Sequence, residues 1–190
     1  SGMKNAMSLL GKTALVTGGS RGIGRATAIA LAETGAYVLL TYHTHQGMAE
    51  EVVQQICSAG GTAQAIRMSL ENAESLQAML YAAQREGSVD ILVNNAAIIQ
   101  EKPFPDVTSG DCLRMFQANL IGPFLCCQAV LPHMMAQHWG RIINLVSIGG
   151  QWPATRQVHY GASKAGLISL TRSLSRLYAA EGITVNAVAP

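Results

Sequence analysis

Charge and aromatic rings are both scarce in this chain, and each shortage removes a class of function. Only 13% of the residues are Asp, Glu, Lys or Arg, the net charge is +2, and no dense Lys/Arg block occurs. A nucleic-acid partner held by electrostatics is therefore not expected. Aromatic residues make up 5%, too few for a base-stacking surface. The four cysteines, Cys57, Cys112, Cys126 and Cys127, form no CxxC pair, and the five histidines form no HxxxH or HExxH pair. No metal site is expected, and the cysteines read as reduced thiols of a cytoplasmic protein, with Cys126 and Cys127 in the core. No apolar run approaches the membrane-spanning length, and Gly11-Lys12 cuts "MKNAMSLLGK" short of a signal-peptide core. No membrane partner is expected.

What the chain has is 190 residues, 49% of them hydrophobic. That fits one globular domain over 1–190. Short apolar runs alternate with longer segments of helical period. "TALVTG" (13–18), "AYVLLTY" (36–42), "TAQAIRM" (62–68), "VDILVNNAA" (89–97), "GRIINLVS" (140–147) and "ITVNAVAP" (183–190) read as strands. Between them lie helical patterns, among them "GMAEEVVQQICSAGG", "NAESLQAMLYAAQREG" with Asn72 as its cap, and "VHYGASKAGLISLTRSLSRLYAAEG". The apolar stretch from Ser109 to Gln137 contains Pro123, which should kink it, and Pro132, which should begin a fresh turn. Strict strand–helix alternation predicts an α/β fold: a Rossmann-like, doubly wound parallel sheet with helices on both faces.

Several places on this alternation carry chemistry. "TGGSRGIG" puts Gly18, Gly22 and Gly24 between a strand and a helix, with Ser20, Arg21 and Ile23 in the same turn. Glycines there let the backbone turn sharply and approach a pyrophosphate at a helix N-terminus, although the spacing is GxxxGxG and not GxGxxG. The end of the second strand, "LLTYHTHQ", has no acid before Glu50 to accept from an adenosine ribose. Arg21 and His43 instead suit a 2′-phosphate, so NADP is favoured over NAD. "NNAA" (94–97) and Ser147 both end strands, on the ligand-binding edge of such a sheet, and one asparagine of the pair reads as a turn-holder. Tyr160 and Lys164 then share one helix face four residues apart. A free phenol titrates near ~10, and an ammonium beside a phenol favours the phenolate.

These motifs, in this order and over nearly the whole chain, resemble the short-chain dehydrogenase/reductase family, with a flavour similar to 3-oxoacyl-[acyl-carrier-protein] reductases. The resemblance implies Asn119, Ser147, Tyr160 and Lys164 as the catalytic four. It implies Gly18, Ser20, Arg21, Gly22, Ile23, Gly24, His43, Asn95, Tyr160 and Lys164 around the cofactor. Tyr160 would exchange the proton and Ser147 would orient the carbonyl oxygen. Lys164 would tune Tyr160 and grip the nicotinamide ribose, and Asn119 would anchor a relay water. The expected activity is NADP-dependent hydride transfer to and from a small carbonyl/alcohol substrate. The same resemblance implies a homodimer or homotetramer through the 109–137 stretch and the helix after Tyr160, where Leu167, Leu170, Leu174 and Leu177 form a stripe.

The chain also departs from the family pattern. Ala97 stands where a glycine is usual, Ser69 where an Asp usually meets adenine, and Arg67 and Met68 are unusual at that strand end. The family's last strand and substrate lid are not found before Pro190. A truncated, non-catalytic nucleotide-binding or assembly protein is therefore the alternative expectation. Trp152 is a candidate for the substrate wall.

Overall fold

The computed structural model describes residues 8–153 and 155–190. Six strands form one parallel sheet in the order β3-β2-β1-β4-β5-β6: β1 (Thr13–Val16), β2 (Tyr37–Tyr42), β3 (Thr62–Arg67), β4 (Ile91–Asn94), β5 (Gly140–Leu145) and β6 (Ile183–Val188). The helices between them are α1 (Gly22–Glu33), α2 (Gln46–Ser58), α3 (Ala73–Glu86), α4 (Ser109–Phe116), α5 (Gly122–Ala136) and α6 (Val158–Tyr178).

The register explains why the strands read as unbroken apolar runs. Leu39, Leu15, Leu92, Ile142 and Val185 are paired neighbours across five strands, and all are buried in the cluster packed under α3, α5 and the end of α6. One residue further on, Leu40, Val16, Val93 and Ile143 are likewise neighbours and point to the opposite cluster, under α1 and α2. A strand covered on both faces has no polar side to alternate with. Among the described residues β6 pairs only with β5; its Ile183 and Val185 are buried while Thr184 and Asn186 are exposed. Cys126 and Cys127 lie in the core as expected, and burial pushes both thiols up to about 12, which keeps them protonated.

Asn72 caps α3 by accepting from the Ser75 N–H at 2.8 Å. The apolar stretch differs from the expectation at both prolines. A π-turn (Gln117–Ile121) separates α4 from α5, Pro123 sits in the first turn of α5, and Pro132 lies inside α5 instead of starting a new turn. A proline in a first turn lacks only an N–H that has no helical partner anyway, so the irregularity falls one turn before it. Ser109–Ala136 is moreover long and apolar enough to cross a membrane by length and composition, contrary to the reading of the sequence. Here half of its most apolar window is buried inside the protein.

A sheet of order 3-2-1-4-5-6 reverses direction between β1 and β4. Connections leave that point toward opposite sides, so a crevice opens beyond the carboxyl ends of the strands.

Candidate active site

That crevice is present. A cavity of about 450 Å³ is lined by the segments leaving β1 (Gly18, Ser20 to Ile23), β2 (Thr41 to His45), β3 (Met68 to Glu71) and β4 (Asn95 to Ile98). Seven of the expected cofactor residues are on its wall: Gly18, Ser20, Arg21, Gly22, Ile23, His43 and Asn95. So are Ala97 and Ser69, two of the departures from the family pattern. Gly24, Tyr160 and Lys164 are not on that wall.

Gly24 has a different task. A Cβ there would overlap the Gly18 carbonyl and the Asn95 amide, so its lack of a side chain lets α1 close onto the turn. Gly18 itself has φ +66°, which glycine adopts without strain. Arg21 is the extended residue before α1, and the first turn of that helix contains no acid. Its N–H groups therefore offer a positive end that no neighbouring carboxylate neutralises.

The glycine turn is held from behind. Asn95 Nδ2 donates to the carbonyls of Thr17 and Gly18, each at 3.0 Å. The Thr17 hydroxyl accepts from the N–H of Asn95 at 3.1 Å and of Ala96 at 3.0 Å. Thr41 Oγ1 accepts from the Gly18 N–H at 3.0 Å. Thr17 and Thr41 are structural partners that the sequence reading missed; a threonine at a strand end gives no signal beyond its β propensity. Asn94 is the structural member of the asparagine pair in a second sense. Its amide donates to Asn144 Oδ1 at 2.9 Å, and Asn144 donates in turn to Thr171 Oγ1 at 2.9 Å. This buried chain ties β4, β5 and α6 together.

The other expected residues gather on the β5–α6 side. Lys164 is buried, and its Nζ donates to the Leu145 carbonyl at 2.8 Å, two residues before Ser147. That bond fixes the Tyr160 end of α6 to the strand end bearing Ser147. Lys164 Nζ lies 5.9 Å from the Tyr160 ring centroid, close enough for an ammonium to act on the ring through space. Burial lowers the Lys164 ammonium to about 8. Ser147 Oγ accepts from the Gly149 N–H at 3.2 Å and opens the short turn Ile148–Gly150. Gly150 packs against the backbone of Lys164 and Ala165, where a Cβ would sit 3.0 Å away.

Asn119 is placed within the π-turn and fully buried. Its side chain accepts from the Ile98 N–H at 2.9 Å and donates to the Ile98 carbonyl at 2.8 Å. The amide thus clamps the loop that follows NNAA, and its side chain is committed to protein partners. Trp152 is 67% exposed and lines a depression beside Val158 and Ala162 at the start of α6. Leu167 of the expected stripe is buried, Leu174 packs on the core, and Leu177 is exposed.

The sequence model of one family, short chain dehydrogenase, matches residues 12–190. The chain belongs to the short-chain dehydrogenase family. Among curated members, the 3-oxoacyl-[acyl-carrier-protein] reductase of Synechocystis is 40% identical over 183 residues, covering 96% of this chain and 74% of that one. The FabG reductase of Staphylococcus epidermidis is 42% identical over 182 residues, 95% of this chain and 75% of that one. Among solved structures, the 3-oxoacyl (acyl-carrier-protein) reductase of Agrobacterium tumefaciens with NADP bound superposes with a TM-score of 0.93. It is 35% identical, with 99% of this chain and 72% of that one covered. An NAD(P)-dependent gluconate 5-dehydrogenase from Beutenbergia cavernae, also with bound NADP, gives a TM-score of 0.90 at 35% identity, covering 96% and 73%. The two solved short-chain dehydrogenase relatives share this fold, and the names of the four span more than one substrate.

Proposed function

We propose that residues 1–190 are a single dinucleotide-binding domain of an NADP-dependent oxidoreductase that interconverts a small carbonyl compound and its alcohol. The observation that carries this reading is the Lys164–Leu145 bond. It ties the helix that carries Tyr160 to the end of β5 that carries Ser147, on the same carboxyl edge of the parallel sheet as the cavity lined by the glycine turn. NADP is supported by Arg21 and His43 on the cavity wall, by the acid-free first turn of α1, and by the NADP held in both structural relatives.

The nicotinamide, when bound, supplies or accepts the hydride at the carbonyl carbon. In reduction, Tyr160 donates its phenolic proton to the carbonyl oxygen; in oxidation it takes that proton back. Ser147 donates a hydrogen bond to the same oxygen and holds it in line with Tyr160. Lys164 places positive charge behind Tyr160 and binds the nicotinamide ribose. Asn119 acts by fixing the Ile98 loop, and a relay water at this place belongs to its backbone, since its amide is already engaged.

Exposed Leu113 and Phe124 on α4 and α5, and Leu177 on α6, support a homodimer through these helices, or a homotetramer. A stable interface of this kind buries about 1,200 Å² or more. The four free thiols accord with a cytoplasmic setting.

The deciding experiment follows NADPH oxidation by the purified chain with a panel of ketones and 3-oxoacyl thioesters, alongside light scattering at micromolar concentration. Turnover that Tyr160→Phe removes supports the reading. NADPH binding without turnover on any substrate points to a nucleotide-binding or assembly protein instead. A strictly monomeric chain assigns the apolar residues of these helices to the fold alone.

A further inference from the structure

We infer that His159, Gln100 and Asp111 form a positioning strap that sets the first turn of α6, and with it Tyr160, against the loop leaving β4. The inference deepens the oxidoreductase reading, on which the role of Tyr160 rests.

His159 precedes Tyr160 and is only 3% exposed. Its Nε2 lies 2.8 Å from Gln100 Oε1, and Gln100 Nε2 lies 3.0 Å from Asp111 Oδ1. The other oxygen of Asp111 accepts from Lys102 Nζ at 2.7 Å and from the N–H and hydroxyl of Thr108. The Lys102 bond, with those from Thr108 and Gln100, holds the Asp111 carboxyl well below the usual carboxylate range.

One acid then dictates everything upstream of it. An ionised carboxylate can only accept, so Gln100 must turn its NH₂ toward Asp111 and its carbonyl oxygen toward His159. A carbonyl oxygen also only accepts, so His159 Nε2 must carry a hydrogen. His159 Nδ1 is buried with no partner among the described residues. Among the described residues Gln100 is therefore the one polar anchor of the ring.

Tyr160 has need of such an anchor. Gln157, at the N-cap of α6, makes no side-chain capping bond, so the helix does not fix its own first turn. Two parallel bonds lace the same segments: Lys102 N–H to the Arg156 carbonyl at 2.8 Å, and Gln157 Nε2 to Glu101 Oε1 at 3.0 Å. A displacement of about 1 Å at a reacting group can lower a rate ~100-fold.

The test has two arms, run on the full chain. In ¹⁵N-labelled protein at pH ~8, where an ordinary imidazole is neutral, the ring correlations of His159 should show the Nε2–H tautomer alone. Those signals are assigned by their loss in His159→Asn. In Gln100→Leu they should become a mixture of tautomers. An Nδ1–H form in the parent, or an unchanged pattern in Gln100→Leu, overturns the strap.

In the kinetic arm, His159→Ala should lower kcat roughly ten- to hundredfold with NADPH affinity within about twofold. His159→Asn should recover most of the loss, because its amide can donate to Gln100. The double variant Gln100→Leu/His159→Ala should be no worse than the more impaired single variant. Multiplying losses, or equal failure of Asn and Ala at position 159, overturn the positioning role. If the parent itself turns nothing over, the oxidoreductase reading has failed, and the tautomer arm still decides the strap.

Discussion

Around the glycine turn, the chain is held by side chains that work from behind the cavity wall: Thr41 and Asn95 bind backbone groups of the turn, and Thr17 binds those of the adjoining Asn95–Ala96 segment. Around Tyr160 the restraint is indirect. Lys164 reaches back to β5, and His159 reaches sideways to Gln100. The first region presents mainly backbone, which suits an anionic ligand that must be approached closely. The second presents single functional atoms that must be aimed. A backbone cradle fails when it is overfilled, whereas an aimed atom fails when it is deleted or moved.

The sharpest division between the two comes from Tyr160→Phe. It should lower turnover by about 100- to 10,000-fold while leaving NADPH binding by fluorescence titration nearly unchanged. A variant within a few-fold of the parent would mean that Tyr160 is not the acid. The opposite break is Gly24→Val, whose side chain has no room between the Gly18 carbonyl and Asn95. It should weaken NADPH binding tenfold or more and lower stability by about 1–3 kcal/mol, read by titration and thermal unfolding. Unchanged binding would show that the turn yields easily.

A smaller effect is expected from Arg21→Ala, which leaves the cradle intact and removes a charged donor. NADPH affinity should fall by about tenfold and NADH affinity little; equal losses would argue against phosphate recognition by Arg21. A test of a different kind, on stability alone, concerns Lys164, whose ammonium burial lowers from 10.5 to about 8. Below about 8 both folded and unfolded chains are protonated, and the cofactor-free fold bears the desolvation penalty in full. Between about 8 and 10.5 the unfolded chain holds the extra proton, so stability rises with pH. Relative to Lys164→Met, the urea midpoint of the parent should climb through that window; parallel profiles would refute it.

Much of this division was legible in the sequence. Strand–helix alternation announced the parallel sheet because both of its faces are covered, and Gly18, Arg21 and Asn95 fell on the cavity wall. Spacing could not separate Gly24 or Asn119 from residues that face a ligand, since a side chain engaged inside the fold and one open to a cofactor look alike in a motif. The partners Thr17, Thr41 and Gln100 lie far along the chain from the groups they hold. Only the topology joins them. The Leu167–Leu177 stripe divides for a related reason, with Leu167 buried and Leu177 exposed: helical period marks an apolar face without saying whether the sheet or a second copy covers it.

An extra residue in a helix turns everything after it by about 100°, so the Gln117–Ile121 turn leaves α4 and α5 out of phase. A ruler of constant period laid along 109–136 drifts off the buried side of one helix and onto that of the other. Hydropathy takes no notice of that phase, and the bilayer-like value of the stretch comes from composition: α5, unlike the two-sided α4, is apolar on nearly every side, with Cys126, Val130 and Met134 in the core and Phe124 and Met135 outside it.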